Sequence, residues 1–254
     1  MPSEKSKPQS ENKEDPIKIK SNKKIEKFRF NWKYIIFIIW TIIAFILIFS
    51  GDLQSLLAGI GVSISALSTL IFWLFREKIF FKKQNDKNYT KWKYILIGSL
   101  GAFWVELEFW ILEKLTGVSL AADPNLLINM LVMMPWYIAM IATLWYVSNK
   151  SEYSYFEILL FGGIYDFFAD GIIGSIFSGL FNFEILLLLL IIFPEFVMCY
   201  SFMVIPPTFY LKLQKIKSKT ENRLKKYIFA LLPLILLIIW AFGIYFIFAI
   251  FLRA

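Results

Sequence analysis

The chain has 254 residues, of which 58% are apolar, 19% aromatic and 18% charged, and its formal net charge is +8. Soluble domains are roughly 45 to 50% apolar and about 25% charged, so this composition excludes an ordinary soluble domain, and 27 Phe, 12 Tyr and 9 Trp exclude a disordered one. One Cys and no His exclude a disulfide scaffold and a thiolate or imidazole zinc centre, so no metal and no cofactor is expected.

A helical membrane protein remains. A bilayer core of about 30 Å needs roughly 20 apolar residues per helix. Seven segments qualify: 34–50, 53–75, 94–112, 126–148, 155–181, 185–205 and 227–252. The expected fold is all-α, a single polytopic bundle of seven transmembrane helices over residues 34–254. Residues 1–33 are polar and mixed in charge, and read as a disordered basic cytoplasmic tail with anionic lipid as its candidate contact.

Taken in chain order, the first span is short, and the second carries Ala58, Gly61, Ser65, Ser68 and Thr69 at helical spacing. Such a strip of small residues lets another backbone approach closely, which predicts a packing seam. The third span holds two acids, Glu106 and Glu108, and Glu113 follows it. Glu106, Trp110 and Glu113 share one helical face and Glu108 points nearly opposite, so Glu106 and Glu108 cannot both line one narrow cavity. Asp123-Pro124 is expected to cap the fourth span, which contains Asn129, Pro135, Trp136 and Tyr137.

The fifth span is long and glycine-rich, and it carries Tyr165, Asp166 and Asp170. The two aspartates are four apart on one face, in a segment expected to be broken or strongly tilted. Pro194 is expected to bend the sixth span next to Glu195, and Pro206-Pro207 to end it. Glu157 and Glu184 lie near span ends and are expected to be solvated.

The bases set the orientation. Short cytoplasmic loops collect Lys and Arg, and of the 27 here all but Lys114 and Arg253 fall before span one or in the loops after spans two, four and six. That pattern predicts a cytoplasmic amino terminus and an external carboxyl terminus, with multi-pass insertion in the plasma membrane. It also removes nucleic acid as a partner, because the excess charge sits where topology requires it.

The informative residues are the acids inside the spans. An Asp at a helix centre costs about 2.5 to 3.5 kcal/mol on insertion scales, and no span contains Lys or Arg to offset it. At a rise of about 1.5 Å per residue, Glu106, Asp166 and Glu195 come out close to the same depth. The economical inference is a shared mid-membrane polar cavity with Glu106, Asp166, Asp170, Glu195, Tyr165 and Asn129 as pathway candidates. Glu108, Glu113, Trp110, Trp136 and Tyr137 are secondary candidates.

Three uses of such a cavity stay open. Carboxylates without fixed countercharge suit a transporter or channel for protons, cations or a cation-coupled small solute. A protonated Asp or Glu beside aromatic faces suits a membrane enzyme acting on a lipid or isoprenoid, and the chain is similar to the membrane-embedded terpene cyclases in size and span count. Buried acids can also dock another protein's basic helix, which makes an assembly subunit the third use. Other assignments lack a needed group. Tyr165-Asp166 resembles one half of the intramembrane aspartyl protease pair without the Gly-x-Gly-Asp half, and span seven has no Lys for a retinal Schiff base.

Overall fold

The structure is a computed structural model, and it describes residues 32–80, 87–214 and 223–251. The expected tail, apart from its last two residues, lies outside the described residues. No strand occurs among those described. The helices are α1 (Trp32–Phe49), α2 (Leu53–Ile79), α3 (Lys87–Thr116), α4 (Leu126–Lys150), α5 (Tyr155–Asp166), a π-helical stretch (Phe167–Ile173), α6 (Gly174–Phe177), α7 (Phe183–Ile191), α8 (Phe193–Cys199), α9 (Ser201–Leu213), α10 (Arg223–Ala230) and α11 (Leu232–Phe251).

Five helices are long and apolar enough to cross a membrane, or six if α8 and α9, bent by 55° at their junction, form one span. The two segments that depart from a simple span do so for local reasons. The fifth changes hydrogen-bond register at Phe167, so its α-helical part is only 12 residues long. The sequence segment 185–205 breaks at Ile192, just before Pro194, and again at Tyr200, so it is divided among α7, α8 and α9.

Helix starts follow ordinary capping chemistry. Asp52 accepts the Ser55 N–H at the start of α2, and Ser154 and Glu157 form a reciprocal capping box at α5. The cap of α4 is Asn125, which accepts from Leu127 and Ile128. Asp123 is not the cap. It accepts the Asn125 N–H and so positions that residue.

The centre of the bundle is α3, which packs against α9 on one side and α4 on the other, while α5 lies along α8 and α9. Helix α1 sits at the edge against α2 and α8; Ala44 is its buried residue, and Ile36, Ile42 and Ile46 face outward. Such an apolar outer face suits lipid, where a helix satisfies its own backbone.

Three close approaches set the helix positions. The small strip of α2 is a seam: Gly61 lies against the Phe109 ring, Ser68 accepts from the Trp104 indole, and the Thr69 and Ser201 hydroxyls are 2.6 Å apart. An added Cβ on Gly163 would stand 2.9 Å from the Val197 Cα, so the crossing of α5 with α8 depends on that glycine. An added Cβ on Gly101 would stand 2.7 Å from the Phe202 carbonyl oxygen.

The last contact explains a departure from the sequence reading. Pro206 and Pro207 do not end the sixth segment, because α9 runs through both to Leu213. A proline withdraws the N–H that bonds back four residues, which leaves the Phe202 and Met203 carbonyls free of their usual helical donors. The Gly101 backbone approaches there, and Pro206 and Pro207 are themselves buried in the packing between helices. Packing holds a helix that propensity alone would have stopped.

Candidate functional site

Glu106 enters the site from the middle of α3, on the face turned to α4. One carboxylate oxygen, Oε2, accepts from the Asn129 amide at 2.9 Å, and the other accepts from the Tyr137 hydroxyl. Asn129 and Tyr137 are two turns apart on α4, so both reach the same carboxylate. All three side chains are buried.

The Glu106 carboxylate borders a cavity of about 260 Å³. Val105 and Phe109 of α3, Met133 and Tyr137 of α4, and the backbone around Leu120, Ala121 and Ala122 form part of its wall. The remainder comes from Asp170 and Gly174 around the π-helical stretch and from Cys199 and Tyr200 at the α8–α9 bend. Among the described residues lining it, none is Lys or Arg. Tyr137 and Tyr200 meet edge to face with centroids 5.6 Å apart.

The two aspartates flank the start of the π-helical stretch, Asp166 just before it and Asp170 within it, and their carboxyl groups stay close to each other. Asp170 lines the cavity and is exposed, whereas Asp166 is buried and does not line it, its carboxyl lying beside that of Asp170 and the Cys199 thiol. Asp166 remains within electrostatic range of Asp170, Cys199 and Glu106. π-Helical turns are rare and recur at functional sites. Here the turn falls between two neighbouring acids, one of which lines the cavity.

The other candidates lie elsewhere. Glu195 is buried on α8 with both oxygens unpartnered among the described residues, and it does not line the cavity. The Tyr165 hydroxyl donates to the Ala230 carbonyl at 2.6 Å, at the joint between α10 and α11, which gives it a structural task. That carbonyl is available because Leu234 N–H turns to Leu231 instead. Glu108 faces α2 and accepts from the Ser65 hydroxyl.

Trp136 packs on Trp240 in the core, with centroids 6.4 Å apart. Glu113 and Trp110 hold the loop that follows α3: Glu113 accepts the Leu120 and Ala121 N–H groups at 2.9 Å each, and the Trp110 indole donates to the Pro124 carbonyl. Glu157 is not simply solvated, since Lys226 lies 2.8 Å from it and the Tyr227 hydroxyl also donates to it.

Tyr200 and Cys199 are wall residues that the sequence did not point to. The bend that turns them inward has no glycine or proline at Tyr200 to mark it. Among the described residues no group of three or more His, Cys, Asp or Glu side chains is placed to hold a metal ion. No family model, no curated protein and no solved structure matches the chain.

Proposed function

We propose that the protein is a seven-span transporter or channel of the plasma membrane, and that the cavity between Glu106 and Asp170 takes up a proton or a monovalent cation. The observation that carries the reading is the charge balance of the cavity. Two carboxylates from different helices border one space whose described lining has no basic side chain, and a third acid, Asp166, lies close to Asp170. An acid kept in a membrane interior without a countercharge is costly, and such residues commonly mark ion and proton pathways.

Seven spans agree with the distribution of Lys and Arg, which requires an odd number between a cytoplasmic amino terminus and an external carboxyl terminus. In this reading the fifth span is the helical run from Tyr155 to Phe177, with its π-helical stretch inside it, and the sixth combines α7, α8 and α9. In that orientation the loop after α3 is external, and the cavity beneath it receives its ion from outside.

The test is flux into proteoliposomes that enclose a pH-sensitive dye, with a proton or sodium gradient imposed. Glu106→Gln and Asp170→Asn should each lower flux at least tenfold while the protein stays monodisperse. Undiminished flux in both variants contradicts the assignment.

A second reading is favoured by the walls. Phe109, Met133, Tyr137 and Tyr200 around about 260 Å³ leave room for an apolar group beside an acid, as an enzyme acting on a lipid or isoprenoid requires. Turnover of such a substrate in detergent, with no gradient imposed, would favour this reading over transport.

A further inference from the structure

The loop between α3 and α4 forms one wall of the cavity through Leu120, Ala121 and Ala122. It begins at Gly117, whose φ of +72° is a left-handed conformation that suits glycine at a helix end, and the Gly117 N–H still bonds back to the Glu113 carbonyl at 2.7 Å. Beyond that point much of the anchoring comes from side chains. Gln54 of α2 donates to the Ser119 carbonyl, Glu113 accepts from Leu120 and Ala121, and Trp110 donates to Pro124. Asn129 accepts the Ala122 N–H on its Oδ1 at 3.0 Å.

Asn129 is the side chain in this set that also touches the acid of the site. Its Nδ2 donates to Glu106 Oε2 while its Oδ1 holds the loop, so one planar amide bridges the cavity carboxylate and the cavity wall. The orientation of the amide is fixed chemically. A backbone N–H can only donate, so the amide oxygen must face Ala122 and the NH₂ must face Glu106. Turning the amide over would place two donors together at the loop and two acceptors together at the carboxylate.

We propose that residues 117–125 are a lid over the cavity, and that Asn129 is the positioning residue that couples the lid to the state of Glu106. A cation arriving at Glu106 draws on Oε2, the oxygen that Asn129 uses. The ion therefore competes with the Asn129 Nδ2 donor for Oε2, and an amide released at that end holds the Ala122 N–H on its Oδ1 less firmly. The inference rests on the reading of the cavity as the ion site, but the lid can be tested without measuring flux.

Cys199 is a built-in probe, being the one cysteine of the chain and part of the cavity wall, where it is 9% exposed. The experiment is the labelling rate of Cys199 in detergent-solubilised full-length protein with a small methanethiosulfonate reagent. Asn129→Leu and Glu113→Ala should each raise the rate at least tenfold over the unaltered chain.

Asn129→Asp supplies a readout that a purely structural role would not give. It keeps an acceptor for Ala122 but sets a carboxylate against Glu106. Its labelling rate, taken relative to the unaltered chain at the same pH, should be raised at pH 8 and fall back toward that chain at pH 5.5, where a shared proton restores the bridge. Labelling unchanged in Asn129→Leu and Glu113→Ala, or a relative rate in Asn129→Asp that does not vary with pH, overturns the proposal. Faster labelling in a protein that moves no ion would keep the lid and remove the transport reading.

Discussion

At the amino-terminal end of α5, Glu157 accepts from Lys226, from the Tyr227 hydroxyl and from the Ser154 N–H. Near the middle of α3, Glu106 has neutral partners, Asn129 and Tyr137, and faces a cavity whose described lining contains no base. Both are glutamates on apolar helices, and both are well hydrogen-bonded. They differ in whether the protein supplies the countercharge. Where it does, at the rim, the acid closes a helix cap and joins α5 to α10. Where it does not, in the interior, the site has room for a charge from outside.

The comparison can be broken most severely through the packing that places the inner acids. Gly163→Ala puts a Cβ 2.9 Å from the Val197 backbone, and overpacking of a rigid crossing costs on the order of 3 kcal/mol. We expect loss of several degrees of thermal stability together with loss of flux, because α5 carries Asp166 and leads into the π-helical stretch that carries Asp170. Full stability in this variant would mean that α5 and α8 are not held as closely as described.

Removing the inner acceptor comes next. Glu106→Ala leaves the Asn129 and Tyr137 donors buried without it, which costs about 1 to 3 kcal/mol, whereas Glu106→Gln keeps an oxygen for Asn129 and should change stability much less. Thermal unfolding of the two variants side by side separates the structural contribution of the carboxylate from its charge. Equal destabilisation in both would show that the charge itself holds the helices.

Most of the helix positions were legible in the sequence, because continuous apolar runs of span length carry their own signal. The segment 53–75 became α2 and 126–148 became α4 with the same first residues. What was not legible depended on packing between segments. The glycine-rich fifth segment was expected to be irregular and is, but no residue at Phe167 marks where its register changes; the bend at Tyr200 has no breaker residue either, and Pro206-Pro207 has a breaker where no break occurs.

The site followed the same rule. Glu106, Asp170, Asn129 and Tyr137 come together, as helical spacing and depth suggested they could. Glu195 stays apart and Asp166 does not line the cavity, because depth along a helix says nothing about which neighbour it faces.

At the rim, smaller effects are expected. Glu157→Gln removes the ion pair with Lys226, a partly buried contact still open to solvent and worth about 0.2 to 1 kcal/mol, and should leave flux unchanged. The smallest change concerns Asp52, whose carboxyl is held below its usual range by the Ser55 N–H at the start of α2. A lowered folded-state value means that its contribution is present above the ordinary aspartate range near pH 4 and is lost as pH falls through the lower folded value. Asp52→Ala should therefore lower the melting midpoint slightly at pH 7, and the difference from the unaltered chain should vanish in strong acid.

The contrast between the two acidic regions is tested most directly by one paired measurement, proton-driven dye response in proteoliposomes of Asp170→Asn and Glu157→Gln prepared together with the unaltered chain. The Asp170→Asn trace should fall to that of empty vesicles while Glu157→Gln follows the unaltered protein. An Asp170→Asn trace equal to the unaltered one, or loss in Glu157→Gln alone, would contradict that expectation.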